Sequence, residues 1–106
     1  METKIDIFLD GLILRKPAHV IAFFTEHLYI PYSSGDWDQL FDWLCDLEWL
    51  PYKTIVFHFF HSRDLLKGYP HEQRKFWILM DDLKRYWDEI PICDDNSKSI
   101  VIHIDN

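Results

Sequence analysis

The chain has 106 residues, 48% apolar and 17% aromatic, which is enough for one packed core and too short for two. Such a composition excludes disorder as the global state. Its formal net charge of -7 excludes a nonspecific nucleic-acid binder, which needs the opposite sign to neutralise phosphates.

In chain order, Lys4 to Leu9 predicts a first strand, with Ile5, Ile7 and Leu9 on one side. A helix then starts at Pro17, a good first-turn residue, and carries Val20, Ile21, Phe24 and Leu28 at helical spacing. A second helix opens near Asp36. Asp36 and Gln39 have capping-box spacing, and Trp37, Leu40, Phe41, Leu44 and Leu47 form its apolar stripe. Thr54 to Phe60 is almost continuously apolar and predicts a strand covered on both faces. A short helical turn at Asp64 to Lys67 is expected to end at Gly68. The last helix opens at Pro70, buries Phe76, Leu79, Met80, Leu83 and Trp87, and stops at Pro91. Cys93 to Lys98 is polar and turn-like, and Ser99 to Ile104 predicts a third strand. Helical connections between strands favour parallel pairing. The expected fold is therefore α/β, a three-stranded parallel sheet packed with three to four helices, as a single domain over residues 1–106.

Acids at Glu2 and Asp6 interrupt the N-terminal segment before an apolar run builds, so no signal peptide is expected. No stretch approaches the ~20 apolar residues of a membrane span. Cys45 and Cys93 are then expected as reduced thiols of a cytoplasmic protein.

Charge is more informative by place than by sum. Glu26, Asp36, Asp38, Asp42, Asp46 and Glu48 lie between Pro17 and Tyr52, a stretch with no Lys or Arg. Asp38, Asp42 and Asp46 recur every four residues, about 400° of helix, and so are expected on one face. No base at i+3 or i+4 neutralises them within the helix, and like charges four apart cost a few tenths of a kcal/mol. Asp38 alone gains from the dipole at a helix N-terminus. A solvated acidic face is the plain explanation. The dense aromatics around it (Tyr29, Tyr32, Trp37, Phe41, Trp43, Trp49, Tyr52) favour an anionic surface built for a basic partner.

Other chemistry is weaker. His58 and His61, three apart, face opposite sides of a strand, and with His103 make a poor zinc site. Cys45 has no nearby histidine to activate it. Asp38 and Asp42 could hold Mg²⁺ or do acid–base work only in a cleft, whereas a ridge on a helix is convex. With only Gly11, Gly35 and Gly68, no glycine-rich phosphate loop exists. Basic residues from Arg63 to Arg85 interleave with Asp64, Glu72, Asp81 and Asp82 and read as solvated pairs.

The run from Ile30 to Pro51 resembles the signature region of the barstar family, intracellular protein inhibitors of the ribonuclease barnase. It has a Pro, a short loop ending in Gly, and a helix of the form W-D-x-L-x-D-x-L before a strand. Gly35, Trp37, Asp38, Leu40, Asp42 and Leu44 fit in spacing. The resemblance implies that this helix and loop plug a ribonuclease active site. Asp42 would enter the phosphate pocket, and Asp38 would contact the enzyme one turn earlier. Two departures stand out. Ser33-Ser34 replace the aromatics usual before the glycine, and Tyr32 can substitute only if the loop shifts. One residue is missing between Gly35 and Trp37, where Asp36 takes over the cap role.

The expected function is thus a one-to-one protein inhibitor of a basic ribonuclease, or an immunity protein against a bacterial ribonuclease toxin. It would have no enzymatic activity, no cofactor or metal, no direct nucleic-acid contact and no membrane contact. Partner-binding residues are expected at Ser33, Ser34, Gly35, Asp36, Asp38, Asp42 and Asp46. The rival readings are an acidic interaction module with a non-nuclease regulatory partner and a divalent-metal hydrolase.

Overall fold

The computed structural model describes residues 3–32, 34–90 and 97–105. The elements run β1 (Lys4–Asp10), α1 (Pro17–His27), α2 (Trp37–Leu44), β2 (Thr54–Phe60), α3 (Pro70–Asp88) and β3 (Ser99–Asp105). One sheet has the order β1-β2-β3, with both pairs parallel, in register Lys4↔Thr54 and Thr54↔Ser99. This is the expected α/β fold with a three-stranded parallel sheet, carrying three helices. No helix among the described residues is long and apolar enough to cross a membrane.

Local chemistry explains the boundaries. Pro17 and Pro70 open α1 and α3, where a missing N–H costs nothing. α1 ends in a Schellman arrangement: Ile30 N–H donates to Thr25 O at 2.9 Å and Tyr29 N–H to Glu26 O at 3.4 Å. Tyr29 takes the left-handed conformation there, at φ 54. The expected turn at Asp64 to Lys67 is a run of i→i+3 turns. Its left-handed residues are His61 and Leu66, and Gly68 is not one of them. α3 stops at Asp88; Pro91 and Cys93 lie outside the described residues.

One buried cluster draws on all six elements, with Leu9, Phe24, Leu40, Phe57, Phe76 and Ile100 essentially inaccessible to water. Phe24 joins three of them, with its ring 5.6 Å from Phe57 and 5.9 Å from Phe76. Every strand sends alternate side chains into this cluster, so the helices pack on one face of the sheet.

β2 was expected to be covered on both faces, and on the second face the cover is not a helix. There Val56 is buried between its register partners Asp6 and Val101. His58 is half-buried between the rings of Phe8, at 4.6 Å, and His103, at 5.3 Å. Phe8 itself is 57% exposed. Among the described residues, strand neighbours cover Val56 and ring stacking covers part of His58, while Phe60 at the strand end stays exposed. The apolar run of β2 could not distinguish that cover from a second helical layer.

Two predictions follow from this packing. A Cβ on Gly11 would lie 2.0 Å from His61 O and 2.8 Å from Leu65 N, both backbone atoms. Gly11→Ala should therefore cost about 3 kcal/mol by urea unfolding, whereas Gly68→Ala, with nothing within 4 Å, should stay within about 0.5 kcal/mol. The second concerns Asp6, whose carboxylate accepts from His58 Nε2 at 2.8 Å. That bond, helped by the charges of Lys4, His58 and His103 and opposed by desolvation, holds its pKa below the usual 3.8. A depressed carboxylate stabilises the fold above its unfolded pKa and loses that contribution as pH falls through the folded value. Unfolding midpoints of Asp6→Asn and the parent chain should differ near neutral pH and converge in strong acid.

Candidate partner-binding site

The candidate site is built on α2 and the loop before it. Ile30 is buried and fixes the start of that loop. Ser33 lies outside the described residues, and Ser34 is half-buried, its Oγ shielded from water without a hydrogen bond. Asp36 caps α2: its Oδ1 accepts from Gln39 N–H at 2.9 Å. The Gln39 side chain returns the contact one residue further back than a standard capping box, with Oε1 accepting from Gly35 N–H at 2.6 Å.

Asp38 and Asp42 stand exposed on α2, as the four-residue spacing predicts. Asp46 does not join them on the helix. α2 ends at Leu44 with Cys45 as its C-cap. Trp43 O then accepts from Asp46 N–H at 3.0 Å and from Leu47 N–H at 3.2 Å, while Leu47 turns left-handed at φ 52. This is the αL way of ending a helix, usually made by glycine. Leu47 accepts it because its side chain is completely buried. Asp46 thus sits in a turn, where its Oδ1 faces Glu48 N–H at 3.4 Å. Asp36, Asp38, Asp42 and Asp46 form no ion pair among the described residues.

Tryptophans hold α2 in place. Trp37 Nε1 donates to Glu72 of α3, and its ring lies 5.8 Å from Phe76. At the other end Trp87 Nε1 donates to Leu44 O at 2.9 Å, in the interior. Between α2 and α3 opens a groove of 580 Å³ lined in part by Asp36, Trp37, Asp38 and Phe41. A purely convex ridge was expected, so this hollow is a correction. α3 supplies Lys75, Ile78 and Asp82 to the groove wall. Asp82 also lies 3.7 Å from Arg85, the solvated pairing its sequence context suggests, and nothing in that context signals its place beside α2. On the opposite flank Trp43 packs between Tyr32, at 5.9 Å, and Trp49, at 5.6 Å.

The other candidate chemistries find little support in the geometry. Burial, with the Asp42 charge second, pushes the Cys45 thiol up to about 11, so it is protonated near neutral pH and a poor nucleophile. Cys45 is a free thiol. His61 lies past the end of β2 and bonds Asp10 at 3.1 Å, while His58 bonds Asp6. No group of three His, Cys, Asp or Glu side chains among the described residues is placed to hold a metal ion.

No curated protein and no solved structure matches the chain. A family model does, across residues 6–104, a span that reaches into all six elements and takes in the loop, α2 and the groove. The chain belongs to the barstar family, whose description is barnase inhibitor.

Proposed function

We propose that this chain inhibits a ribonuclease of the barnase type by presenting Asp38, Asp42 and the loop from Ser33 to Asp36 to the enzyme's basic active site. The observation that carries the reading is the pair of outward carboxylates on α2. Among the described residues they form no ion pair, on a helix capped by Asp36 and tied at both ends by indole N–H bonds. A ribonuclease site binds phosphate through cationic and N–H donors, and a fixed carboxylate offers the same acceptor geometry. The inhibitor catalyses nothing in this scheme; it occupies the place of the substrate, one molecule to one enzyme. Encounter is steered by the acidic stretch from Pro17 to Tyr52 and is therefore salt-sensitive. A cytoplasmic immunity protein, guarding a bacterium against a secreted ribonuclease toxin, is the physiological setting that fits best. Co-expression with candidate toxic ribonucleases, scored by rescue of growth, identifies the target.

With that enzyme in hand, Asp42→Ala should weaken binding by about 2–5 kcal/mol, the range for truncating one partner of a buried hydrogen-bonded charge pair, which barnase and barstar themselves helped establish. Asp46→Ala, off the helix in its turn, should cost less than about 1 kcal/mol, as rim charges do. Calorimetric titration measures both, and urea unfolding checks that neither variant loses stability. Equal and negligible losses would overturn the helix-plug reading.

A further inference from the structure

The flank of α2 away from α3 carries an aromatic assembly that the carboxylate pair does not explain. About 100° round the helix from Asp42 stands Trp43, and about 100° the other way stands Phe41, which lines the groove. Trp43 is half-buried. Its ring meets Trp49 edge-on at 5.6 Å and 79°, and Trp49 Nε1 donates to Leu28 O at 2.9 Å. The indole pair is thereby anchored to the end of α1. Tyr32 then lies 5.9 Å from Trp43 at 32°, and remains 71% exposed. A loop side chain this exposed, held against a fixed indole, offers a broad aromatic surface to solvent at little entropic cost.

Acids flank Trp43 along the chain. Asp42 precedes Trp43 in sequence, and the Asp46 N–H bonds the Trp43 carbonyl at 3.0 Å. Glu48 follows in the next turn, and no Lys or Arg occurs between Pro17 and Tyr52. A π-surface with acids on either side of it in the chain, and no Lys or Arg in that segment, is suited to a planar cation. Guanidinium stacks flat on the rings while its N–H fork reaches an acid, which the compact ammonium of lysine cannot do.

We infer that the Tyr32–Trp43 surface is a subsite for an arginine side chain of the basic partner, next to the place taken by Asp38 and Asp42. That the partner is a ribonuclease rests on the reading proposed above; that the subsite takes guanidinium rests on the rings and charges alone. It extends the footprint to the flank of α2 opposite the groove. It also makes Tyr32 a determinant of which basic enzyme is bound.

The test uses the full chain and tri-arginine and tri-lysine peptides as probes, followed by NMR of the aromatic and indole resonances. Tri-arginine should produce saturable shifts of the Tyr32 and Trp43 ring signals. Tyr32→Ala should weaken that binding about 2–5-fold, the worth of an exposed cation–π contact, and Tyr32→Phe should leave it unchanged, because the ring face and not the hydroxyl is used. Tyr32 is largely exposed, so Tyr32→Ala should fold normally, and an unchanged urea midpoint confirms it. If tri-lysine shifts the same signals equally, or if Tyr32→Ala has no effect, the guanidinium subsite is overturned. Either outcome leaves the Asp42 comparison with the ribonuclease untouched, so the two readings fail separately.

Discussion

The bond from the Trp87 indole N–H to the Leu44 carbonyl is the interaction on which the exposed face of α2 depends. α2 has eight residues, below the length at which a helix is stable alone in water. Its last carbonyls have no partners within the helix, and leaving one unpaired in the interior costs about 1–3 kcal/mol. Trp87 supplies the donor from α3, in a core that Leu40, Leu44 and Leu47 fill from the other side. Trp37 repeats the device at the N-terminal end, bonding Glu72 across the same pair of helices. α2 is consequently clamped from behind, and its outward residues are free of any structural duty.

That freedom has an energetic consequence. Two carboxylates four residues apart repel by a few tenths of a kcal/mol, and Asp is a poor helix former. A helix held only by its own propensity would be weakened by them. Here both ends are fixed by caps and indole bonds, so the repulsion is tolerated and the carboxylates stay where the backbone puts them. A partner that recognises them spends little on ordering the helix, which is how a small rigid surface can bind tightly. The Tyr32–Trp43–Trp49 stack extends the same economy to the flank, since Trp49 is bonded to Leu28 O at the end of α1.

Much of this was legible from residue types and spacing. Proline at the first turn marked α1 and α3, the Asp36/Gln39 spacing marked the cap of α2, and β-branched and aromatic runs marked all three strands. The failures have physical causes. Leu47 continues the apolar stripe of α2 by spacing and is indeed buried, but it gets there through a left-handed backbone. No residue type other than glycine or asparagine advertises that conformation. Asp46 lies past the last residue of α2, in the turn that Leu47 closes. The groove beside α2 depends on which face of α3 meets it, a tertiary fact absent from either helix's own periodicity. The open face of the sheet was hidden because stacked rings and a second helical layer ask for the same apolar residues.

Comparing the two outward surfaces shows why α2, and not the open sheet, reads as the working face. The two acids of β1 have partners within the fold: Asp6 in His58 and Lys4, Asp10 in His61. The His58 bond lowers the Asp6 carboxyl, and the Leu12 backbone N–H, with His61 adding less, lowers that of Asp10, because hydrogen bonds favour the ionised form. Around α2 the carboxylates have no such answer among the described residues, although α3, which carries Lys75, Lys84 and Arg85, packs against α2. Lys75 reaches only the groove wall, and Lys84 and Arg85 pair with acids of α3 itself. Asp6 and Asp10 thus have partners within the fold, whereas Asp38 and Asp42 have no ion pair among the described residues. In the complex proposed above, the complementary charge comes from a partner whose basic groups meet carboxylates held on a clamped helix.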